Sequence, residues 1–175
     1  IEIYNNFIFN CDIGVEVATE HSPDDNELFK VSGINVHDNV IADCTGWAGI
    51  VFGGYDKDLG FTEDCVFDYN TLIDNVYQIV VQRSQNNRVC SNLILGGEEG
   101  IHFEYLVWGD SLVNEISGNA ASGIMNEESW SEVFGTVYPD RSETKDGFRS
   151  LVEDTGSRFV PDKEMTAVYK AQITR

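Results

Sequence analysis

Positive charge and proline are both scarce in this chain of 175 residues, which holds 11 Lys+Arg and 3 Pro. Set against 30 Asp+Glu, the few cations leave a formal net charge of −19. With no basic stripe to neutralise phosphates, nucleic acid and anionic membrane surfaces are excluded as expected partners. No apolar run approaches the roughly 20 residues of a spanning helix, so membrane insertion is not expected. The three His lie far apart, and no two of the four Cys stand at C-x-x-C spacing, so no zinc pattern is present. GxGxxG after a strand, the P-loop, GxSxG and HExxH are absent too, which sets aside nucleotide cofactors and serine or zinc hydrolase chemistry. What remains is 42% apolar with 16 Gly, the composition of one packed domain. It begins at Ile1 inside an alternating apolar pattern, and a missing N-terminal part of the same protein is expected upstream.

What the chain does have is a repeat. Asn6, Asn39, Asn70, Asn92 and Asn114 are each followed two positions later by Ile8, Ile41, Leu72, Ile94 and Ile116. The Asn residues are spaced by 33, 31, 22 and 22 positions. A second short strand follows each phrase, at Gly14–Val17, Gly49–Phe52, Gln78–Val81, Gly100–Phe103 and Gly123–Met125, with Glu16, Val51, Val80, His102 and Met125 expected at its outward positions. This order predicts an all-β fold, a right-handed parallel β-helix of about five coils over residues 1–126. Residues 127–175 are expected to form a C-terminal cap or the start of a linker. An antiparallel sandwich also needs short, closely spaced strands, but it does not explain one phrase recurring in one order. The Asn column is read as structural, because Asn forms Asx-turns and tolerates left-handed backbone.

Cys11 and Cys44 both lie five places after their Asn, in a slot that Asn75, Gly97 and Asn119 fill in later coils. Neighbouring coils about 4.8 Å apart permit a disulfide there, but two small buried thiols in a column of small residues are the favoured reading. Cys65 and Cys90 fall in other slots and read as unpaired.

Function is expected in the loops after the second strand, at 18–31, 53–64, 82–88 and 104–110, because insertions on one side of a rigid stack build sites. Acids, a histidine and aromatics there suit a sugar-polymer groove. Glu20, Asp56 and Glu104 are the candidate catalytic carboxylates, with Glu16, His21, Tyr55, Gln82, Arg83, His102, Tyr105 and Trp108 as candidate substrate contacts. Glu16 and Glu104, three coils apart, are separated by about 14 Å, beyond the ~5–9.5 Å of a glycosidase pair. Glu20 and Asp56, one coil apart, are expected to meet that criterion, with His21 as a proton carrier and Tyr55 as a stacking face. No metal ligand set is assigned. A Ca²⁺ ion linking the Gly53–Asp58 loop to Asp24 or Asp25 is the sole cofactor considered.

Cys11–His21, Ala48–Asp56 and Thr62–Cys65 together resemble secreted bacterial right-handed parallel β-helix proteins of the pectate-lyase-like superfamily, in particular those with a DUF1565-type segment. The resemblance covers about residues 1–126. It implies a secreted or cell-surface protein acting on polysaccharide, as a glycoside hydrolase or lyase, or holding it as a non-catalytic binding or adhesive module. The paired-Asp and His-Gly phrases of polygalacturonases are absent, and Lys57 and Arg83 are only positional matches to a lyase base.

Overall fold

The structure, a computed structural model, describes residues 1–19, 29–54, 60–103, 114–122, 152–155 and 158–159. Short strands separated by tight corners succeed one another around each coil. The first coil holds β1 (Glu2–Tyr4), β2 (Phe7–Phe9), β3 (Ile13–Thr19) and β4 (Lys30–Ser32). The second holds β5 (Asn35–His37), β6 (Val40–Ala42), β7 (Ala48–Gly54) and β8 (Phe61–Glu63). The third holds β9 (Val66–Asp68), β10 (Thr71–Ile73), β11 (Tyr77–Val81) and β12 (Ser84–Gln85). Then come β13 (Arg88–Cys90), β14 (Leu93–Leu95), β15 (Glu99–Phe103), β16 (Asn114–Ser117) and β17 (Ala120–Ser122), followed by β18 (Val152–Thr155) and β19 (Arg158–Phe159).

Equivalent strands of successive coils pair in parallel and stack into four sheets, which makes the fold a parallel β-helix. Sheet A runs β1-β5-β9-β13-β16-β18, sheet B β2-β6-β10-β14-β17-β19, sheet C β3-β7-β11-β15 and sheet D β4-β8-β12. Alternation sends one side chain of each three-residue strand inward. Val36, Phe67, Val89 and Ile116 from sheet A thus meet Ile41, Leu72 and Ile94 from sheet B and Ile50, Ile79 and Ile101 from sheet C in one buried core. Phe52 and Phe67 stack across it, ring centroids 4.2 Å apart at 17°.

Three corners share a left-handed residue, and in several coils the side chain that follows it accepts a hydrogen bond from the coil before. Between sheets A and B the left-handed residues are Asn5, Asp38, Tyr69, Ser91 and Gly118. Most are types that tolerate positive φ. Behind them stand Asn6, Asn39, Asn70, Asn92 and Asn119, of which the first four each give backbone N–H and Nδ2 to Oδ1 of the next, at 2.9 to 3.2 Å. The expected column is therefore present, with one correction: its fifth member is Asn119, not Asn114. Asn114 closes a separate column between sheets D and A, in which Cys65 N–H bonds Asn87 Oδ1 at 2.9 Å and Asn87 N–H bonds Asn114 Oδ1 at 3.1 Å. Both columns precede a short strand with an inward aliphatic residue, so both write Asn-x-aliphatic into the sequence. The third corner, between sheets B and C, carries Cys11, Cys44, Asn75 and Gly97 behind left-handed Asn10, Asp43, Asp74 and Gly96. Asn119 does not share that slot.

Two further differences concern sheet D and the C-terminal span. Stretches read as pure loop contain β4, β8 and β12, whose inward residues include the buried polar Thr62 and Ser84. Their hydroxyls are satisfied locally, Thr62 Oγ1 on Val17 O at 3.2 Å and Ser84 Oγ on Gln82 O at 2.7 Å. Within 127–175, β18 and β19 continue sheets A and B by pairing with β16 and β17. The rest of that span lies outside the described residues.

Candidate functional site

The outer face of sheet C gathers the described polar and aromatic candidates. Its strands are the longest of the coil in each turn, seven residues in β3 and β7 and five in β11 and β15. Register places Glu16, Val51, Val80 and His102 in one outward row, as the repeat predicts. Glycine at position 49 permits the close stacking of these strands: a Cβ there would lie 2.8 Å from Gln78 O and from Asn75 Nδ2. The row is polar at its ends and apolar between. Ala48, Val51 and Val80 form a small buried cluster separate from the main core, with Ile13, Trp47 and Tyr77 packed against it.

At the far end His102 is buried, its Nδ1 2.7 Å from Glu99 Oε2. Tyr77, in register with Glu99 one coil earlier, stacks on the imidazole, centroids 4.2 Å apart at 12°. A carboxylate on Nδ1 and a ring on the face fix the orientation of this histidine. Trp47 and Tyr77 are neighbours across the coil step, Tyr77 N–H donating to Trp47 O at 3.1 Å, and both are half-buried. Glu16 is exposed at the opposite end of the row, about 14 Å from His102 at three coil spacings.

Of the other sequence candidates, Gln82 is buried at the end of β11. Arg83 folds against sheet D: its carbonyl accepts from Gly54 N–H at 2.9 Å, Nη1 donates to Gly60 O at 3.4 Å, and the guanidinium carbon lies 5.8 Å from the Phe61 ring centroid. Glu20, His21, Tyr55, Asp56, Glu104, Tyr105 and Trp108 lie outside the described residues, as do Asp24, Asp25 and the acidic part of the Gly53–Asp58 loop. The structure thus brings Glu16, His102 and Gln82 onto one sheet. Trp47, Tyr77 and Glu99 are contributors the sequence reading missed. The i, i+3 step from Glu99 to His102, and the alignment of Tyr77 with Glu99, were the signals that held them.

A second histidine cluster occupies the outer face of sheet A. His37 places Nδ1 2.8 Å from Asp38 Oδ2 and Nε2 2.9 Å from Glu2 Oε2, and its ring is parallel to Tyr4 at 5.1 Å. The Asp38 hydrogen bond is the main reason its pKa is raised. Nearby Asp68 is also pushed up, by burial. Burial likewise raises the thiols of Cys44, Cys65 and Cys90.

Comparison with known proteins gives a partial relative and a family. Over 105 residues the chain is 30% identical to "Uncharacterized protein YwoF" of Bacillus subtilis (strain 168), covering 56% of this chain and 21% of that protein. The chain therefore spans about a fifth of the length of this curated relative. No solved structure matches. Residues 1–138 match the family described as "Periplasmic copper-binding protein (NosD)", and the chain belongs to the NosD family.

Proposed function

We propose that this chain is an extracytoplasmic β-helix module that holds an extended polysaccharide against the half-buried Trp47 and Tyr77 where sheet C begins. The periplasmic description of the family supports the location. The observation that carries the binding reading is the run of Trp47 and Tyr77 at neighbouring positions of adjacent coils, on the same face as Glu16 and Glu99. Aromatic faces take the apolar faces of sugar rings, and carboxylates accept from hydroxyls. The −19 charge favours a neutral or amino-sugar polymer over an anionic one.

Copper is the ligand named in the family description. Among the described residues no group of three or more His, Cys, Asp or Glu is placed to hold a metal ion. Both described histidines are engaged by carboxylates, and three of the four thiols have raised pKa values, which disfavours the thiolate a metal needs. The described residues do not fit a resident copper ion. The Ca²⁺ reading falls on residues outside the described ones.

Retardation of the protein in gels cast with neutral, amino-sugar and anionic polysaccharides tests the binding reading. Retention by a neutral or amino-sugar polymer, weakened in Trp47→Ala with unchanged circular dichroism, is the expected result. No retention by any polymer, or full retention by the variant, overturns it. One observation favours a second, enzymatic reading: β3, β7 and β15 end at Thr19, Gly54 and Phe103 on one edge of sheet C, immediately before Glu20, Tyr55–Asp56 and Glu104. New reducing ends from the retained polymer, lost in Glu20→Gln and Asp56→Asn, distinguish it from binding alone.

A further inference from the structure

We propose that Cys11 and Cys44 form an intramolecular disulfide that staples the first coil to the second, while Cys65 and Cys90 remain thiols. All four cysteines are free thiols in the structure, which shows the reduced form. Cys11 and Cys44 occupy the same corner position of adjacent coils, each directly behind a left-handed residue, Asn10 and Asp43. The pairing on either side fixes that equivalence, Phe9 opposite Ala42 and Trp47 N–H on Asp12 O at 2.9 Å. Their side chains adopt the same orientation, since each thiol points back at the carbonyl two residues earlier, Phe9 O at 3.5 Å and Ala42 O at 3.6 Å. One coil step is about 4.8 Å, inside the Cα separation of roughly 4.4–6.8 Å that a disulfide spans.

Selectivity follows from the columns. Cys65 stacks between Ile34 and Asn87, whose backbone and side chain bond it, and Cys90 stacks on Asp68 and under Ser117. Neither has a cysteine above or below. Cys11 is exposed while Cys44 is buried, so the two thiols have distinct parts to play in oxidation. Cys11 as thiolate attacks an oxidant disulfide, forming a mixed disulfide and releasing one thiol of the oxidant. The Cys44 sulfur, giving up its proton as the bond forms, then attacks the Cys11 sulfur and displaces the second thiol. Two protein thiols are oxidised, one disulfide is reduced to two thiols, and both protons go to the departing thiolates. The bacterial periplasm sustains this exchange, so occurrence in the cell rests on the extracytoplasmic reading. The bridge closes a loop that includes residues 20–28, the segment carrying Glu20 and His21.

The test incubates the purified 175-residue chain with oxidised glutathione, alkylates it in denaturant and digests it with trypsin. Cleavage after Lys30, Lys57, Arg83 and Arg88 leaves each cysteine in a different peptide, so every pairing has its own mass. The expected result is two alkylated thiols and a cross-linked pair of the 1–30 and 31–57 peptides. Oxidation should raise Tm by roughly 5–15 °C, reversed by reductant. Cys65→Ser should keep both effects and Cys11→Ser should lose both. Four alkylated thiols, glutathione retained on Cys11, a bridge to Cys65 or Cys90, or a bridge between two chains overturns the proposal. This oxidation does not depend on where the protein resides; failure of the location reading is seen separately, as recovery of the parent protein in the cytoplasmic fraction.

Discussion

Asn39 and Asn70 form one rung of a ladder inside the protein: the backbone N–H and Nδ2 of Asn39 both donate to Asn70 Oδ1, at 3.2 and 3.0 Å, and both residues are buried. Asn70 in turn gives Nδ2 to Val36 O at 2.8 Å and to Asn92 Oδ1 at 3.1 Å. One side chain thus serves three coils, and no other residue type offers an acceptor and two donors at that length.

Asn70→Ala leaves the Asn39 N–H buried without its acceptor and takes one donor from the Val36 carbonyl, which keeps its place in the β5–β9 ladder. At about 1–3 kcal/mol for a stranded buried group, a loss of that order is expected from the denaturation midpoint. Asn6→Ala, in the exposed first coil, should cost far less. Equal losses for the two variants would show that the ladder is not a buried network.

Core packing makes a separate demand. Phe67 is fully buried in the inward column of sheet A, between Val36 and Val89, and stacked on Phe52 of sheet C. Phe67→Ala should cost about 3–5 kcal/mol, and Phe67→Leu distinctly less, because the cavity it leaves is smaller. The same denaturation experiment reads both, and a Phe67→Ala cost under about 1 kcal/mol would contradict a core packed at this point.

The raised pKa of His37 gives stability a pH dependence of definite sign. A group whose folded pKa exceeds its unfolded value contributes stability that is fully present below the unfolded pKa, about 6.5 for His. That contribution is lost as pH rises through the folded value. Asp38 supplies the largest part of the shift and Glu2 adds to it. A titration of the His37 ring by NMR should find its midpoint above about 6.5, and Asp38→Asn should move it down. In His37→Gln the loss of stability across that window should shrink.

Much of the fold was legible because its period is written in residues that face inward. Ile8, Ile41, Leu72 and Ile94 fixed the coils, and counting from them placed Glu16, Val51, Val80 and His102 in the row the structure shows. Sheet D escaped because Lys30–Ser32, Phe61–Glu63 and Ser84–Gln85 are too short for alternation to show, and two of their inward residues, Thr62 and Ser84, are polar. Asn114 was misplaced because two corners demand the same phrase. Gly118, a left-handed residue ahead of Asn119, marked the true position. The site was half-legible: His102 was singled out as a surface contact, whereas its burial against Tyr77 and Glu99 depends on a coil alignment taken one step further.

The His102–Glu99 pair yields the last prediction. Glu99→Ala removes the carboxylate from a buried Nδ1 and should cost about 1–3 kcal/mol, the penalty for leaving such a group without its charged partner. His102→Phe keeps a ring on Tyr77 but leaves Glu99 half-buried without the imidazole, so it too should destabilise. The double variant removes both ends of the interaction while retaining the aromatic stack, and its loss should be smaller than the sum of the two single losses. Strict additivity in the denaturation midpoints would mean that the 2.7 Å contact contributes nothing to the fold. A positive coupling would identify the pair as the polar wall that holds Tyr77, and with it Trp47, in place on the face of sheet C.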